Sequence, residues 1–166
     1  MIDFGELVER ESRGLVAAVA AIVGDRHRAE EIVQDAFERC FRKWRRVSQL
    51  DRPGAWVRRV AINAAISATR RTASERRAVE RLNARNAPGP SSRPDPLDAL
   101  DDAGIWTAVR ALPGDQAAAI ALRYGADLSI EEVAATLLVS ASAAKSLLHR
   151  GRQALRVSPA LQTYAE

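Results

Sequence analysis

The chain has 166 residues and a mass of 18.1 kDa, which is room for one ordinary domain or two small ones. With 47% hydrophobic and 28% charged residues it can bury a core, and its single cysteine, Cys40, excludes an internal disulfide and a cysteine-based zinc site. No apolar run approaches the roughly 20 residues that cross a bilayer, and the longest run, residues 15–23, follows acidic residues, unlike a secretory signal. We therefore expect a cytoplasmic protein without membrane insertion.

The formal net charge of +4 is unevenly distributed along the chain. Residues 1–38 carry 4 basic and 9 acidic side chains, whereas residues 39–85 carry 14 basic and 3 acidic ones. Residues 86–103 are acidic again, and residues 104–166 are nearly balanced. Like charges at this density repel one another, so residues 39–85 fit a surface for a polyanion better than a core.

Helical periodicity dominates the first part of the chain, and strand patterns are almost absent. Apolar residues between Phe4 and Ile22 recur at three- and four-residue spacings and predict a first helix, which Gly24-Asp25 ends. A second helix is predicted from about Arg28 to Arg46. We assign its apolar stripe to the core; the stripe consists of Ile32, Val33, Ala36, Phe37, Cys40, Phe41 and Trp44.

A third helix is predicted to begin near Pro53, after a loop at Ser48–Asp51, because proline is tolerated in a first turn and Asp51 can cap it. Its polar face carries Arg52, Arg58, Arg59, Asn63, Arg70 and Arg71. Between Arg39 and Arg59, eight basic residues and one acidic residue are interleaved with Trp44 and Trp56. Such a surface can neutralise phosphate and hold unstacked bases, although burial of both indole rings is the alternative.

Residues 86–96 read NAPGPSSRPDP, with no apolar periodicity, and predict a linker. The predicted fold is therefore all-α, with two small helical domains at residues 1–85 and 97–166. In the second domain, an apolar stripe at residues 105–112 and a helix at residues 115–124 are predicted, with Gly125 as the C-cap of the latter.

Two helices at the end of the chain have the spacing of a helix-turn-helix. Ser129 and Glu132 form a capping-box pattern that starts the first of them, Leu138-Val139 is a short break, and Ser140 caps a last helix at about residues 141–156, which Pro159 ends. One broad face of the last helix carries Ser142, Lys145, Ser146, His149, Arg150 and Arg152. That face could donate to base edges in a major groove, and a solvated face on an ordinary helix is the alternative.

Four blocks of the sequence, in this order, resemble the extracytoplasmic-function (ECF) sigma factors of bacterial RNA polymerase. They are GDRHRAEEIVQDAFERCFRKW at 24–44, LDRPGAWVRRVAINAA at 50–65, ALPGDQAAAIALRYGADLSIEEVAATL at 111–137 and KSLLHRGRQALR at 145–156. The resemblance covers nearly the whole chain. It implies a sigma region 2 joined by the proline-rich linker to a sigma region 4, without a long region 3.

The resemblance also implies partners and site residues. Contacts with the β′ clamp helices of core polymerase are implied for Glu30, Glu31, Gln34 and Asp35, and a contact with the β flap is implied for region 4. Capture of the minus-ten element is implied for Asp51, Arg52, Pro53, Gly54, Ala55, Trp56, Arg58, Arg59 and Asn63. Recognition of the minus-thirty-five element is implied for Ser142, Lys145, Ser146, His149 and Arg150. Promoter DNA and an anti-sigma factor are the remaining implied partners.

The chain departs from the family pattern in region 4. Leu138 stands where the family usually has glycine, Ala141–Ala144 replace Glu-Gly-Thr-Val, and Leu147 replaces an arginine that is often present. Leucine at the turn would be strained if the backbone takes a positive φ there. We therefore predict weak or altered recognition of the minus-thirty-five element.

Two other functions were weighed against promoter recognition. A stand-alone helix-turn-helix regulator would bind duplex DNA without polymerase. An enzyme is disfavoured because the sequence has no glycine-rich phosphate loop, paired metal ligands or nucleophile motif, so we expect no catalytic residue, metal or cofactor.

Overall fold

The computed structural model describes residues 2–83 and 103–158. The predicted linker at residues 86–96 and the predicted helix stop at Pro159 lie outside these ranges. Within them the structure is helical and has no strand, which confirms the all-α prediction. None of the described helices combines the length and the apolarity that a bilayer span requires.

Four helices make up the first half, residues 2–83: α1 (Phe4–Val23), α2 (Arg26–Arg42), α3 (Trp44–Val47) and α4 (Pro53–Asn83). The Asp3 carboxylate accepts a hydrogen bond from the backbone N–H of Glu6, and the Glu6 carboxylate accepts one from Asp3 in return, so a capping box starts α1. Gly24 ends α1 at a φ of 78°, which glycine adopts without strain.

Two details of the first half differ from the sequence prediction. The second predicted helix is interrupted at Lys43, whose backbone leaves helical geometry at φ −109° and ψ 14°, so a single turn, α3, follows α2. Helix α4 does begin at Pro53, but Asp51 lies two residues before it rather than at the adjoining capping position.

The second half, residues 103–158, contains α5 (Ala103–Arg110), α6 (Gly114–Ile120), a π-helical turn (Ala121–Gly125), α7 (Ile130–Leu137) and α8 (Ala141–Arg156). Ser129 and Glu132 form the predicted capping box of α7, and the Ser140 hydroxyl accepts from the backbone N–H of Ala143 at the start of α8. Both predicted caps are confirmed.

Gly125 is not the C-cap that the sequence suggested. The positive φ after the π-helical turn falls on Asp127, at 52°, and not on Gly125. A Cβ atom at Gly125 would lie 3.2 Å from the Cα atom of Ala18, in α1. Glycine is needed here because the turn packs closely against the backbone of α1.

The two halves share one continuous apolar core. Leu15, Val19 and Ile22 of α1 belong to the same buried cluster as Leu122 of the π-helical turn and Leu148 of α8. The π-helical turn packs against α1, and α7 packs against α4. Each half alone would be near the lower size limit for a stable core, and the shared cluster offsets that limit.

Candidate polymerase and nucleic-acid interfaces

Helix α2 presents a polar docking face, which we define as Glu30, Glu31, Gln34 and Asp35. All four side chains are exposed. The helix is oriented by burial of its other side, including Ala29, Val33 and Ala36. The structure thus brings these four predicted residues together on one solvent-facing surface.

An apolar groove lies beside the docking face, between α1 and α2. It is lined by Phe4, Val8, Ser12, Val16, Glu30, Val33, Gln34, Phe37, Glu38 and Phe41. The Phe4 ring lies 5.1 Å from that of Phe41 and 5.4 Å from that of Trp44. Phe41 was predicted to be core, and this is wrong: it is 62% exposed, since no further helix covers this side of α2 among the described residues.

Cys40, on the same stripe as Phe41, is fully buried. Burial raises the pKa of its thiol to about 11, because a thiolate would lose its hydration there. The side chain is therefore an apolar packing group at neutral pH.

We define the minus-ten surface as the nine residues implied for the minus-ten element. Asp51, Arg52 and Asn63 are exposed, and Trp56 and Arg59 are half-buried. Pro53, Gly54, Ala55 and Arg58 are buried. The structure therefore places the nine residues around the start of α4 but leaves only part of the set accessible.

Arg58 is held between two carboxylates and is only 5% exposed. Its Nη1 atom lies 3.5 Å from the carboxylate of Glu11 in α1 and 3.5 Å from that of Glu132 in α7. The Nε atom is buried and has no hydrogen-bond partner among the described residues. In this conformation, Arg58 joins the two halves instead of facing solvent.

Gly54 makes room for this ion pair. A Cβ atom there would overlap the carboxylate of Glu11, so the glycine of the RPGAW block has a packing role in α4. Glu11 was missed from the sequence. The available signal was an acidic residue on the apolar stripe of α1, one turn from Leu7 and one turn from Leu15, both of which are buried.

Glu132 has two structural roles. Its carboxylate accepts a hydrogen bond of 2.9 Å from the backbone N–H of Ser129 and also faces Arg58. Its pKa is lowered mainly by the hydrogen bond from Ser129, with a further contribution from the positive charge of Arg58. It is therefore charged at neutral pH, as the ion pair requires.

The minus-thirty-five surface, defined as Ser142, Lys145, Ser146, His149 and Arg150, lies along α8. All five side chains are exposed and line one shallow surface. Ala144 and Leu148 anchor the opposite side of α8 in the core. A helix held in this way can present its polar face to a DNA groove.

Leu138, in the turn between α7 and α8, has a φ of 57° and a ψ of 44° and is 71% exposed. The positive φ predicted for this position is confirmed. A non-glycine residue costs about 1–2 kcal/mol in this region, and little side-chain packing offsets it.

No group of three or more His, Cys, Asp or Glu residues in the described parts of the chain is placed to hold a metal ion. His27 and His149 are both exposed, on α2 and α8. The chemistry that the described surfaces offer is therefore ionic contact, hydrogen bonding and apolar packing.

Comparison with known proteins identifies both halves. The family model for sigma-70 region 2 matches residues 7–75, and that for sigma-70 region 4 matches residues 103–155. The chain is 28% identical to an RNA polymerase sigma-E factor of Streptomyces antibioticus over 94% of its own length and 84% of that protein. It is 31% identical to the ECF RNA polymerase sigma factor SigE of Mycolicibacterium smegmatis over 94% of its own length and 61% of that protein.

The fold is also found in a solved structure. The sigma factor RpoE of Bartonella quintana, in complex with the anti-sigma factor NepR, matches with a TM-score of 0.60 and 22% identity, over 92% of each chain. Two sigma-70 region matches in the order 2 then 4, together with the sigma-E relatives, account for both halves of the described structure. The chain belongs to the sigma-70 family, as an ECF sigma factor of bacterial RNA polymerase.

Proposed function

We propose that the chain docks on core polymerase through α2, engages the minus-ten element with the start of α4 and reads the minus-thirty-five element with α8. The observation that carries the proposal is the exposed docking face beside an uncovered apolar groove. Polar residues around an apolar centre are the usual composition of a protein interface. The ECF sigma factor directs promoter recognition and transcription initiation, and the chemistry is performed by the polymerase.

Several coarser points of the proposal follow from the family. We propose that residues 1–85 form region 2, residues 86–96 the linker and residues 97–166 region 4. We also propose that the chain works in the cytoplasm, performs no covalent chemistry, contacts the β flap through region 4 and is held by an anti-sigma factor. The anti-sigma partner is supported by the matching Bartonella quintana structure, whose sigma factor is bound to one.

Charge reversal tests the docking face. The double variant Glu31→Lys with Asp35→Lys should weaken binding to core polymerase by about tenfold or more, since like charges then face the partner. The matched control is Glu75→Lys with Glu80→Lys, which makes the same charge change at exposed positions near the end of α4. Equal affinities of the two variants for core polymerase would contradict the docking proposal.

The minus-ten proposal is tested at the accessible positions of that surface. Arg58 is unsuitable because its replacement would also break the contact between the halves. Arg59→Ala with Asn63→Ala should slow open-complex formation while affinity for core polymerase stays unchanged. A template with the promoter melted in advance should restore much of the lost transcription; loss of core binding instead would contradict the assignment.

The minus-thirty-five proposal is tested by DNA selection. If Arg150 contacts a base edge, Arg150→Ala should relax selection at one base pair at a cost of about 1–3 kcal/mol. If Lys145 contacts phosphate, Lys145→Ala should weaken all sequences alike and reduce the salt dependence by about one charge. Unchanged selection and salt dependence in both variants would exclude α8 as the reader.

A further inference from the structure

The second half of the chain covers the start of α4. Helix α7 packs against α4, and the Arg52 Nη1 atom donates a hydrogen bond of 3.4 Å to the backbone carbonyl of Glu131. One turn further along α4, Arg58 pairs with Glu132. Both basic residues belong to the minus-ten surface, and both are engaged by the first turn of α7.

The chemistry of this contact resembles that of a DNA strand. Glu132 offers Arg58 an anionic oxygen, as a phosphate would, and an arginine guanidinium pairs with either. With only 5% of Arg58 exposed, a phosphate cannot reach the guanidinium while α7 stays in place. Glu11 would remain beside Arg58 if α7 left, so the arginine would keep one partner and gain a free side.

The contact between the halves is built for separation as well as closure. The Glu132 side chain is 42% exposed, so its ion pair with Arg58 is only partly removed from water and is modest in strength. The chain between Asn83 and Ala103 could span about 66 Å when extended, which allows α7 to leave the surface without any change in either half.

We propose that the second half is a built-in competitor for promoter DNA: in the free chain, α7 occupies the minus-ten surface through Glu132 and Glu131, and it must leave before that surface binds DNA. The inference rests on the proposed role of the minus-ten surface. It adds that the free chain is closed and that opening precedes promoter engagement. Weakening the contact between the halves therefore strengthens DNA binding.

A reversible crosslink tests this directly. A Cβ atom at Gly14 in α1 would lie 3.5 Å from the Cβ atom of Ala126, just after the π-helical turn, and this is within the separation that a disulfide needs. The variant Gly14→Cys with Ala126→Cys should therefore lock the closed form when oxidised and release it when reduced. Cys40 is buried and does not compete for the new bond.

The locked chain is assayed by transcription with core polymerase on a genomic promoter library. The reduced variant should support transcription, and the oxidised variant should lose it at least tenfold, as a tenfold change in an equilibrium is about 1.4 kcal/mol. Equal transcription in both redox states would overturn the inference. Absence of transcription with the unmodified chain would instead contradict the proposed function.

A pair of glutamine substitutions provides the second test, and it does not depend on the crosslink. Glu132→Gln removes the charge that faces Arg58 but keeps a residue that can complete the capping box. Glu131→Gln is the matched control on the same turn, because the backbone carbonyl of Glu131, and not its side chain, accepts from Arg52. Opening is followed by energy transfer between dyes at two exposed glutamines, Gln49→Cys after α3 and Gln153→Cys on α8.

Glu132→Gln should lower energy transfer and raise affinity for a random single-stranded DNA pool by roughly three- to tenfold, the range of a partly exposed ion pair. Glu131→Gln should leave both unchanged. The inference is overturned if Glu132→Gln matches Glu131→Gln in both readouts. It is also overturned if energy transfer falls without a gain in DNA affinity, since α7 would then not compete with DNA.

Discussion

The two surfaces assigned to promoter DNA differ in how accessible they are. The minus-thirty-five surface on α8 is exposed at all five positions, whereas four of the nine minus-ten residues are buried beside the second half. Helix α8 depends on the core only through its other side, while the start of α4 is held by Glu11 and Glu132. The same chain therefore has one surface ready for DNA and one that is covered by its own second half.

The largest expected effect is at the covered surface. Arg58→Ala would leave Glu11 and Glu132 without their shared cation, and we expect a loss of about 3 kcal/mol in the free energy of unfolding. The loss should stay near the low end for a buried pair, because Arg10 still lies 3.2 Å from Glu11. Urea denaturation measures it, with Arg59→Ala, at a half-buried position, as the control; equal losses would show that the pairing of Arg58 is unimportant.

A smaller loss is expected where the glycine of the same surface meets Glu11. Alanine is normally favoured over glycine in a helix, yet Gly54→Ala should destabilise the chain by about 1–2 kcal/mol, since its Cβ atom would overlap the Glu11 carboxylate. The measurement is a double-mutant cycle. In a Glu11→Ala background the Gly54→Ala change should be neutral or stabilising, and an unaltered loss there would exclude the overlap as its cause.

At the exposed surface, the turn before α8 should respond in the opposite direction. Leu138 has a positive φ and is 71% exposed, so Leu138→Gly should raise the unfolding free energy by about 1 kcal/mol. Leu138→Ala keeps a Cβ atom and should bring no such gain. Thermal denaturation of the two variants separates relief of backbone strain from loss of the leucine side chain.

The smallest effect concerns pH. The pKa of Glu132 lies below its usual 4.5, chiefly through the hydrogen bond from Ser129 and then through Arg58. A carboxyl with a lowered folded-state pKa stabilises the fold above its unfolded-state pKa, and that stability is lost as pH falls through the folded-state value. Below about pH 5 the unmodified chain should therefore lose more stability than Glu132→Gln, by under about 1 kcal/mol for this partly exposed group. Parallel acid titrations of the two chains would contradict this.

Local sequence patterns predicted much of this structure. The apolar periodicity of α1, the capping boxes and the positive φ at Leu138 all depend on residues close together in the chain, and they were predicted correctly. The exposure of α8 followed from its two-sided pattern in the same way. These features are encoded within a few residues of one another, so a single sequence is enough to find them.

Contacts between distant residues could not be predicted in this way. Arg52 and Glu131 are 79 residues apart, and nothing local to either indicates the other. Gly125 looked like a helix cap because close packing against Ala18 leaves no trace in its own neighbourhood. Phe41 looked like core because an apolar stripe does not reveal whether another helix covers it.

The most direct test of the contrast between the two surfaces is energy transfer between dyes at Gln49→Cys and Gln153→Cys, which lie in different halves. It is measured in the free chain and again after addition of core polymerase and promoter DNA. Efficient transfer in the free chain and a clear fall on assembly are expected, because α7 must leave the minus-ten surface. Equal transfer in the free chain and in an actively transcribing complex would show that the covered surface never opens, and would contradict the account.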